Sequence, residues 1–240
     1  PVHQFCRTPR GWRERLVDLK AHQSDTNVRL AWQGGGEQLA GEKEDEAEYA
    51  RSLDEDARDL DFVVAPAATP ASALFTRELP PHMDQAEICP KARAFVQQVS
   101  QRVQADGGAA LFIDYGSDRP PTDSLRGILG HRFVHPLHRP GEVDLSTDVD
   151  FAALRRVVFE TAPELRTPQL AEQRHFLAAM GIEARVNALL AKCSSAEMRR
   201  ALVDSASRLV ASPGMGSAYC AFSLAHPCIG QQVPGFAPCP

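Results

Sequence analysis

The chain has 240 residues, 43% of them hydrophobic and 24% charged, which is enough apolar side chain for one large or two small cores. The formal net charge of -5 argues against a nucleic-acid surface. No stretch approaches the ~18 apolar residues that a membrane-spanning helix needs. The charge is unevenly placed: 37–61 holds eleven acids and three bases, a local net of -8 that leaves about +3 for the rest. The six cysteines, Cys6, Cys89, Cys193, Cys220, Cys228 and Cys239, show no C-x-x-C or other zinc-like spacing and are expected to be thiols in a reducing compartment.

The first element, "VHQFCRTPRGWRERLVDL", reads as a hairpin turning at "TPRG". Pro9 presets φ there and Gly11 supplies the freedom a tight turn needs. Its arginines, Arg7, Arg10, Arg13 and Arg15, make a basic hairpin, either solvated or facing an acidic partner. The chain opens on Pro1 as a strand already under way, so a longer parent chain is expected. From Gln33 to Leu60, three glycines and then dense acid predict a flexible insert with a frayed helix near 44–53 and no chemistry.

Phe62–Ala65 reads as a strand ended by Pro66, and Ala86–Ile88 as another. Pro90 suits a first helical turn, Phe95, Val96, Val99 and Val103 recur at helical spacing, and Gly107-Gly108 closes the helix. "AALFID" follows as a buried strand, so the segment from Glu87 to Asp114 reads as strand–helix–strand with the two strands parallel. "STDVDFAALRRVV" starts a second helix, capped by Thr147 or Asp148, with Phe151, Leu154 and Val158 inward; of Asp144, Asp148 and Asp150 at least one is expected to be a helix cap. Three more are expected over "QLAEQRHFLAAMG", "IEARVNALLAKC" and "SAEMRRALVDSASRLVAS". The last carries a stripe of Met198, Leu202, Ser205 and Leu209. "GSAYCAFSLAH" alternates like a strand, and the Pro/Gly-rich residues 228–240 read as a loose tail. The plan is mixed α/β over 1–227, with the acidic insert at 33–60 inside it.

No G-x-G-x-x-G, P-loop, G-x-S-x-G or H-E-x-x-H occurs. His131, His135 and His138 cluster, but Pro136 breaks the helix that would align them and no acid is near in sequence, so no metal is expected. The segment of interest is Asp114-Tyr115-Gly116. Ligands of α/β sheets gather outside the carboxyl ends of strands. An acid there orients a substrate, or it merely caps the turn that Gly116 makes possible. Glu87, ending the preceding strand, would lie on the same rim. Two such carboxylates suit a guanidinium held by bidentate hydrogen bonds.

Taken in order, "TPRGWRERLVDL", "FVVAPAATP", "EICP", "GGAALFIDYG", "TDSLRG", "PGEVDLSTDVDF" and "FLAAMGIEARVNALL" resemble the MidA-type methyltransferases, in their mitochondrial branch. The resemblance runs from Pro1 to about Leu224, apart from the acidic insert. It implies the C-terminal part of a Rossmann-like class I methyltransferase with an inserted hairpin and a helical cap. The implied cofactor is S-adenosylmethionine, with its main binding loop upstream of this chain. The implied activity is symmetric dimethylation of an arginine on a core subunit of complex I, in the mitochondrial matrix, in service of that complex's assembly. Asp114 and Glu87 are the residues expected to be catalytic, and the resemblance does not say which of the rim positions is. Tyr115, Gly116, Arg126, Gly127, His131, Asp144, Thr147 and Asp150 are expected to bind substrate or brace the loop. A homodimer is compatible with this reading. The competing expectation is a non-catalytic docking module that binds a complex I subunit.

Overall fold

A computed structural model describes residues 2–19, 60–230 and 232–236. The acidic insert and its frayed helix fall almost wholly outside the described residues, as does Cys239. The chain divides into two compact units, Pro1–Pro90 with Pro120–Asp148, and Lys91–Arg119 with Val149–Pro240.

The first unit is built on the hairpin. Strands β1 (His3–Thr8) and β2 (Gly11–Leu19) pair antiparallel around the turn, where Gly11 has φ 94° and the Thr8 hydroxyl donates to the Gly11 carbonyl at 2.7 Å. Strand β3 (Leu60–Val64) adds to β2, and β4 (Gln85–Ile88) adds to β1, giving the order β3-β2-β1-β4. Phe5 and Ile88, 2% and 3% exposed, anchor its core. A short helix, α1 (Pro70–Phe75), lies between β3 and β4 and is absent from the sequence reading. The Thr69 hydroxyl caps it by accepting the Ser72 amide at 3.0 Å.

A second, three-stranded sheet in this unit has no counterpart among the elements expected from the sequence. It comprises β6 (Arg126–Leu129), β7 (Arg132–Val134) and β8 (Asp144–Ser146), in the order β7-β6-β8. Its strands have three or four residues, too few to show alternation.

The second unit carries α2 (Pro90–Asp106), which begins at its proline and ends at Gly107, as expected. Strand β5 (Ala109–Ser117) pairs antiparallel with β11 (Tyr219–Ala225) over its whole apolar run. Strand β9 (Val149–Asp150) joins its far end in parallel and β10 (Ala171–Glu172) flanks β11, giving β10-β11-β5-β9. Ala110 and Phe112 face a core of Val96, Val103, Phe151, Leu154, Val158 and Phe222. Those side chains come from α2, from α3 (Phe151–Thr161) and from β11.

Several expectations need correction. β4 and β5 are not a parallel pair: β4 is taken by β1 and β5 by β11, in different sheets. The third expected helix is shortened, because Ala171-Glu172 is a strand and helix α4 covers only Gln173–Ala179. Helices α5 (Ile182–Leu190) and α6 (Ala196–Val210) form, but α6 buries none of its residues; Met198 remains 54% exposed. A short α7 (Met215–Ala218) leads into β11. In the tail, Phe236 is buried against Phe176 with ring centroids 5.4 Å apart. Among the described residues, no helix is long and apolar enough to cross a membrane.

Candidate functional site

The expected site residues separate into two groups, one in each unit. In the second unit, Asp114, Tyr115 and Gly116 form the carboxyl end of β5. Asp114 is exposed, and its Oδ1 accepts the amide of Tyr115 at 2.8 Å. That is a local turn-like bond, and it leaves the other carboxylate oxygen available to a cation. The antiparallel register sets Tyr115 directly opposite Tyr219, and their rings stack with centroids 4.0 Å apart and planes inclined by 34°. Nothing in the sequence around Tyr219 signals a role; only the pairing of β11 with β5 brings it there.

Gly116 has φ 147°, and a Cβ on it would overlap the carbonyl oxygen of Val149 and lie 2.8 Å from that residue's nitrogen. The glycine therefore exists to let β9 approach β5. The Cys220 thiol donates to its carbonyl at 3.2 Å. Opposite Ser117 in the same pairing stands Asp150. It is Asp150, not Thr147 or Asp148, that caps α3, its Oδ1 accepting the Ala153 amide at 2.9 Å. Burial pushes the Asp150 carboxyl above its ordinary range; the Ala153 bond and the Arg93 and Arg156 guanidiniums pull it back, and Asp118 adds to the rise. Arg155 Nη1 donates to both oxygens of Asp118, at 2.7 and 2.6 Å.

In the first unit, Glu87 is 2% exposed and its carboxylate is fully engaged. Oε1 accepts from Gln4 Nε2 at 2.7 Å, from the Ser124 amide at 3.0 Å and from the Leu125 amide at 3.1 Å, while Oε2 accepts the Ser124 hydroxyl in a short bond. The Ser124 hydroxyl in turn accepts the Asp148 amide at 2.8 Å. Arg126 Nη1 donates to Asp148 Oδ1 at 2.7 Å and to the Ser124 carbonyl at 3.2 Å. The same loop is approached by Arg15, whose Nη1 lies 3.8 Å from Asp123 and whose guanidinium sits 4.2 Å over the Phe62 ring. Burial lowers the Arg15 pKa, opposed by Asp123 and then by weaker negative neighbours.

Gly127 is buried because a Cβ would stand 2.8 Å from the Val134 carbonyl oxygen and from Val143 Cγ1. His131 occupies the two-residue turn between β6 and β7 with φ 66°, following Gly130 at 58°, and is exposed. Asp144 opens β8 on the surface opposite Ile128, and Thr147 is half-buried in the link to β9. The structure thus brings Glu87 and Arg126 into one network, and Asp114, Tyr115, Gly116 and Asp150 onto one strand end. It does not place Glu87 and Asp114 on a shared strand rim. His135 is buried and its Nδ1 accepts the Leu137 amide at 3.2 Å, a turn bond rather than a metal ligand's posture. Among the described residues, no group of three His, Cys, Asp or Glu could hold a metal ion.

The profile of a family of S-adenosyl-L-methionine-dependent methyltransferases matches residues 1–168, and the chain belongs to that family. The protein arginine methyltransferase NDUFAF7, mitochondrial, of Mus musculus is 36% identical over 224 residues, covering 93% of this chain and 43% of the mouse protein. The Homo sapiens protein of the same name is 34% identical over 224 residues, covering 93% of this chain and 42% of its own length. The chain therefore spans less than half the length of these relatives. Two crystal structures of Burkholderia thailandensis proteins share the fold. One superposes with a TM-score of 0.66 at 22% identity over 99% of this chain and 55% of its own. The other, bound to S-adenosyl-homocysteine, gives 0.63 at 21% identity over 94% and 50%.

The described residues do not by themselves fit a whole S-adenosylmethionine pocket. None of the described strands runs through a glycine-rich turn into a helix; β4 passes to α2 through Cys89 and Pro90. The glycine at the end of β5 is filled by the Val149 backbone, not open to a ligand. Gly34–Gly36 lie outside the described residues.

Proposed function

We propose that this chain provides the acceptor-side portion of an S-adenosylmethionine-dependent protein arginine methyltransferase. It acts in the mitochondrial matrix and dimethylates, symmetrically, an arginine on a core subunit of complex I during assembly of that complex. The reading is carried by the likeness to the NDUFAF7 proteins, sustained over 93% of this chain. Chemistry at the end of β5 supports it. A guanidinium is a poor nucleophile because its lone pair is delocalised and protonated. An exposed carboxylate, Asp114, whose bond to the Tyr115 amide occupies Oδ1, suits holding such a cation and drawing charge onto the attacking nitrogen.

The test exchanges the 224 matching residues of the mouse relative for those of this chain and follows methyl transfer to arginine. The chimera is expected to transfer methyl groups, and Asp114→Asn within it to lower kcat by about ten- to a hundredfold. A folded chimera that binds S-adenosylmethionine but methylates no arginine refutes the reading. The second reading, a docking module for a complex I subunit, is favoured by the lack of a glycine-rich strand-to-helix turn among the described residues. It is supported instead if the inactive chimera still captures that subunit.

A further inference from the structure

We infer that Glu87 is a positioning residue: through Ser124 it locks the Arg126–Asp148 ion pair in place, and it does not itself meet a substrate. The inference is independent of which residue accepts the methyl group.

The donors converging on Glu87 decide the matter. Two backbone amides, one side-chain amide and one hydroxyl all point at its two oxygens. All four groups are donors to it, because the Ser124 hydroxyl already accepts the Asp148 amide and so must give its own proton to Oε2. Oε1 takes three of these donors and Oε2 the fourth, so both oxygens are engaged by the chain itself. At 2% exposure the carboxylate is closed off, so a guanidinium could reach it only by displacing the loop that covers it.

What the carboxylate fixes is specific. It holds the Ser124 and Leu125 amides, which sets the path of the loop entering β6. The loop's next residue is Arg126, whose Nη1 spans the Ser124 carbonyl and Asp148 Oδ1. Asp148, the other half of that pair, is held by its own amide on the Ser124 hydroxyl. Both members of the Arg126–Asp148 pair are thus tied to Ser124, one by chain continuity and one by hydrogen bond, and Ser124 is tied to Glu87. Gln4 steadies the carboxylate from the neighbouring strand, where it is Glu87's register partner. The Glu87 amide also donates to Pro121 at 2.9 Å, at the beginning of the same loop. Buried networks of this kind specify one conformation when every member is satisfied.

The experiment uses the whole chain labelled with 15N and compares wild type with Glu87→Gln, Ser124→Ala and Ser124→Thr. Amide hydrogen exchange is read at Ser124, Leu125 and Asp148, and the Arg126 guanidinium N–H signals are followed as a spectroscopic signature. Glu87→Gln replaces an acceptor by a donor facing donors. It is expected to speed exchange at all three amides by about tenfold or more and to broaden Arg126, while β1–β2 amides away from the loop keep their protection. Ser124→Ala is expected to speed Asp148 by about tenfold and broaden Arg126 while leaving Leu125 protected; Ser124→Thr, which keeps the hydroxyl, restores both. A general loss of stability would raise exchange across the sheet and would not be rescued by threonine. If Glu87→Gln does not fold, the serine pair decides alone. An Arg126 signature and Asp148 protection unchanged in Ser124→Ala would overturn the inference. So would saturable binding of free methylguanidine that Glu87→Gln abolishes and Ser124→Ala spares.

Discussion

Replacing Gly116 by alanine tests the strand end where the candidate site is built. Two costs add. At φ 147° an L side chain is strained whatever the space, a penalty of about 1–3 kcal/mol. The new Cβ would also overlap the Val149 carbonyl and crowd its nitrogen, and both are backbone atoms that cannot swing aside. Relief requires β9 to move off β5, which loosens the Gly116–Val149 and Ser117–Asp150 pairing at about 1 kcal/mol per hydrogen bond. The expected total is about 3–5 kcal/mol, a large part of a domain's usual stability of about 5–15 kcal/mol. Gly108 is the control: its φ is 98°, but a Cβ there meets nothing within 4 Å, so Gly108→Ala bears the conformational strain alone. The assay is urea unfolding followed by far-ultraviolet circular dichroism at helical wavelengths. All the described α-helices except α1 fall in the second unit apart from the first residue of α2, so the helical signal reports chiefly on that unit. With a urea m-value of about 2 kcal/mol per molar, Gly116→Ala is expected to lower the midpoint by about 2 M, well beyond Gly108→Ala. Equal midpoint shifts for the two variants would refute the claim that β9 closes on Gly116.

Two further outcomes follow from burial. Asp150 has its folded pKa raised above the unfolded value near 3.8, so its contribution to stability is full below that value and is lost as pH rises through the raised one. Asn at 150 keeps an acceptor for the Ala153 amide and does not titrate. Urea titrations should therefore show Asp150→Asn gaining on wild type as pH climbs through that window, with Asp150→Ala about 1 kcal/mol below Asp150→Asn for want of the cap; a pH-independent gap would contradict the burial argument. Burial likewise raises the Cys6 thiol, opposed by Arg15 and Arg13, whereas Cys228 is exposed. Mass-spectrometric mapping of iodoacetamide labelling should find Cys228 modified well before Cys6, and the reverse order would show that β1 opens readily.

Where signals are local, the sequence revealed the fold. Pro9 with Gly11 marked the first hairpin, and Pro90 with Gly107 bounded α2. Partner choice was not legible. The strand–helix–strand pattern from Glu87 to Asp114 implies a parallel pair only if both strands share a sheet, and the β1 hairpin takes β4's bonding edge instead. For the same reason Tyr219 went unnoticed: its position opposite Tyr115 depends on the register of β11, which neither strand encodes alone. The stripe of α6 shows another limit. Periodicity says which face of a helix is apolar, and not that anything covers it; Met198 and Leu209 stay 54% and 38% exposed. The sequence offered several caps for α3 because Thr147, Asp148 and Asp150 all have the chemistry of one, and only β9 fixes where the helix can begin.

The two carboxylates expected to act together are distinguished by counting donors. Each has the same chemical capacity, and sequence alone gives them the same description: an acid at the end of an apolar strand. Glu87 sits where β4 passes under the loop that returns to β6, so the loop's amides reach its oxygens before any ligand could. Asp114 sits where β5 emerges, and among the described residues its Oδ1 accepts the amide of the residue that follows it. A buried acid bonded on both oxygens by its own chain contributes rigidity, and an exposed acid with a spare oxygen suits recognition. The guanidinium-binding role proposed for this chain is therefore assigned to Asp114 rather than Glu87, and conservative replacement at the two acids should separate along that line. Glu87→Gln should disturb loop order first, whereas Asp114→Asn should leave the fold intact and weaken only the handling of the cation.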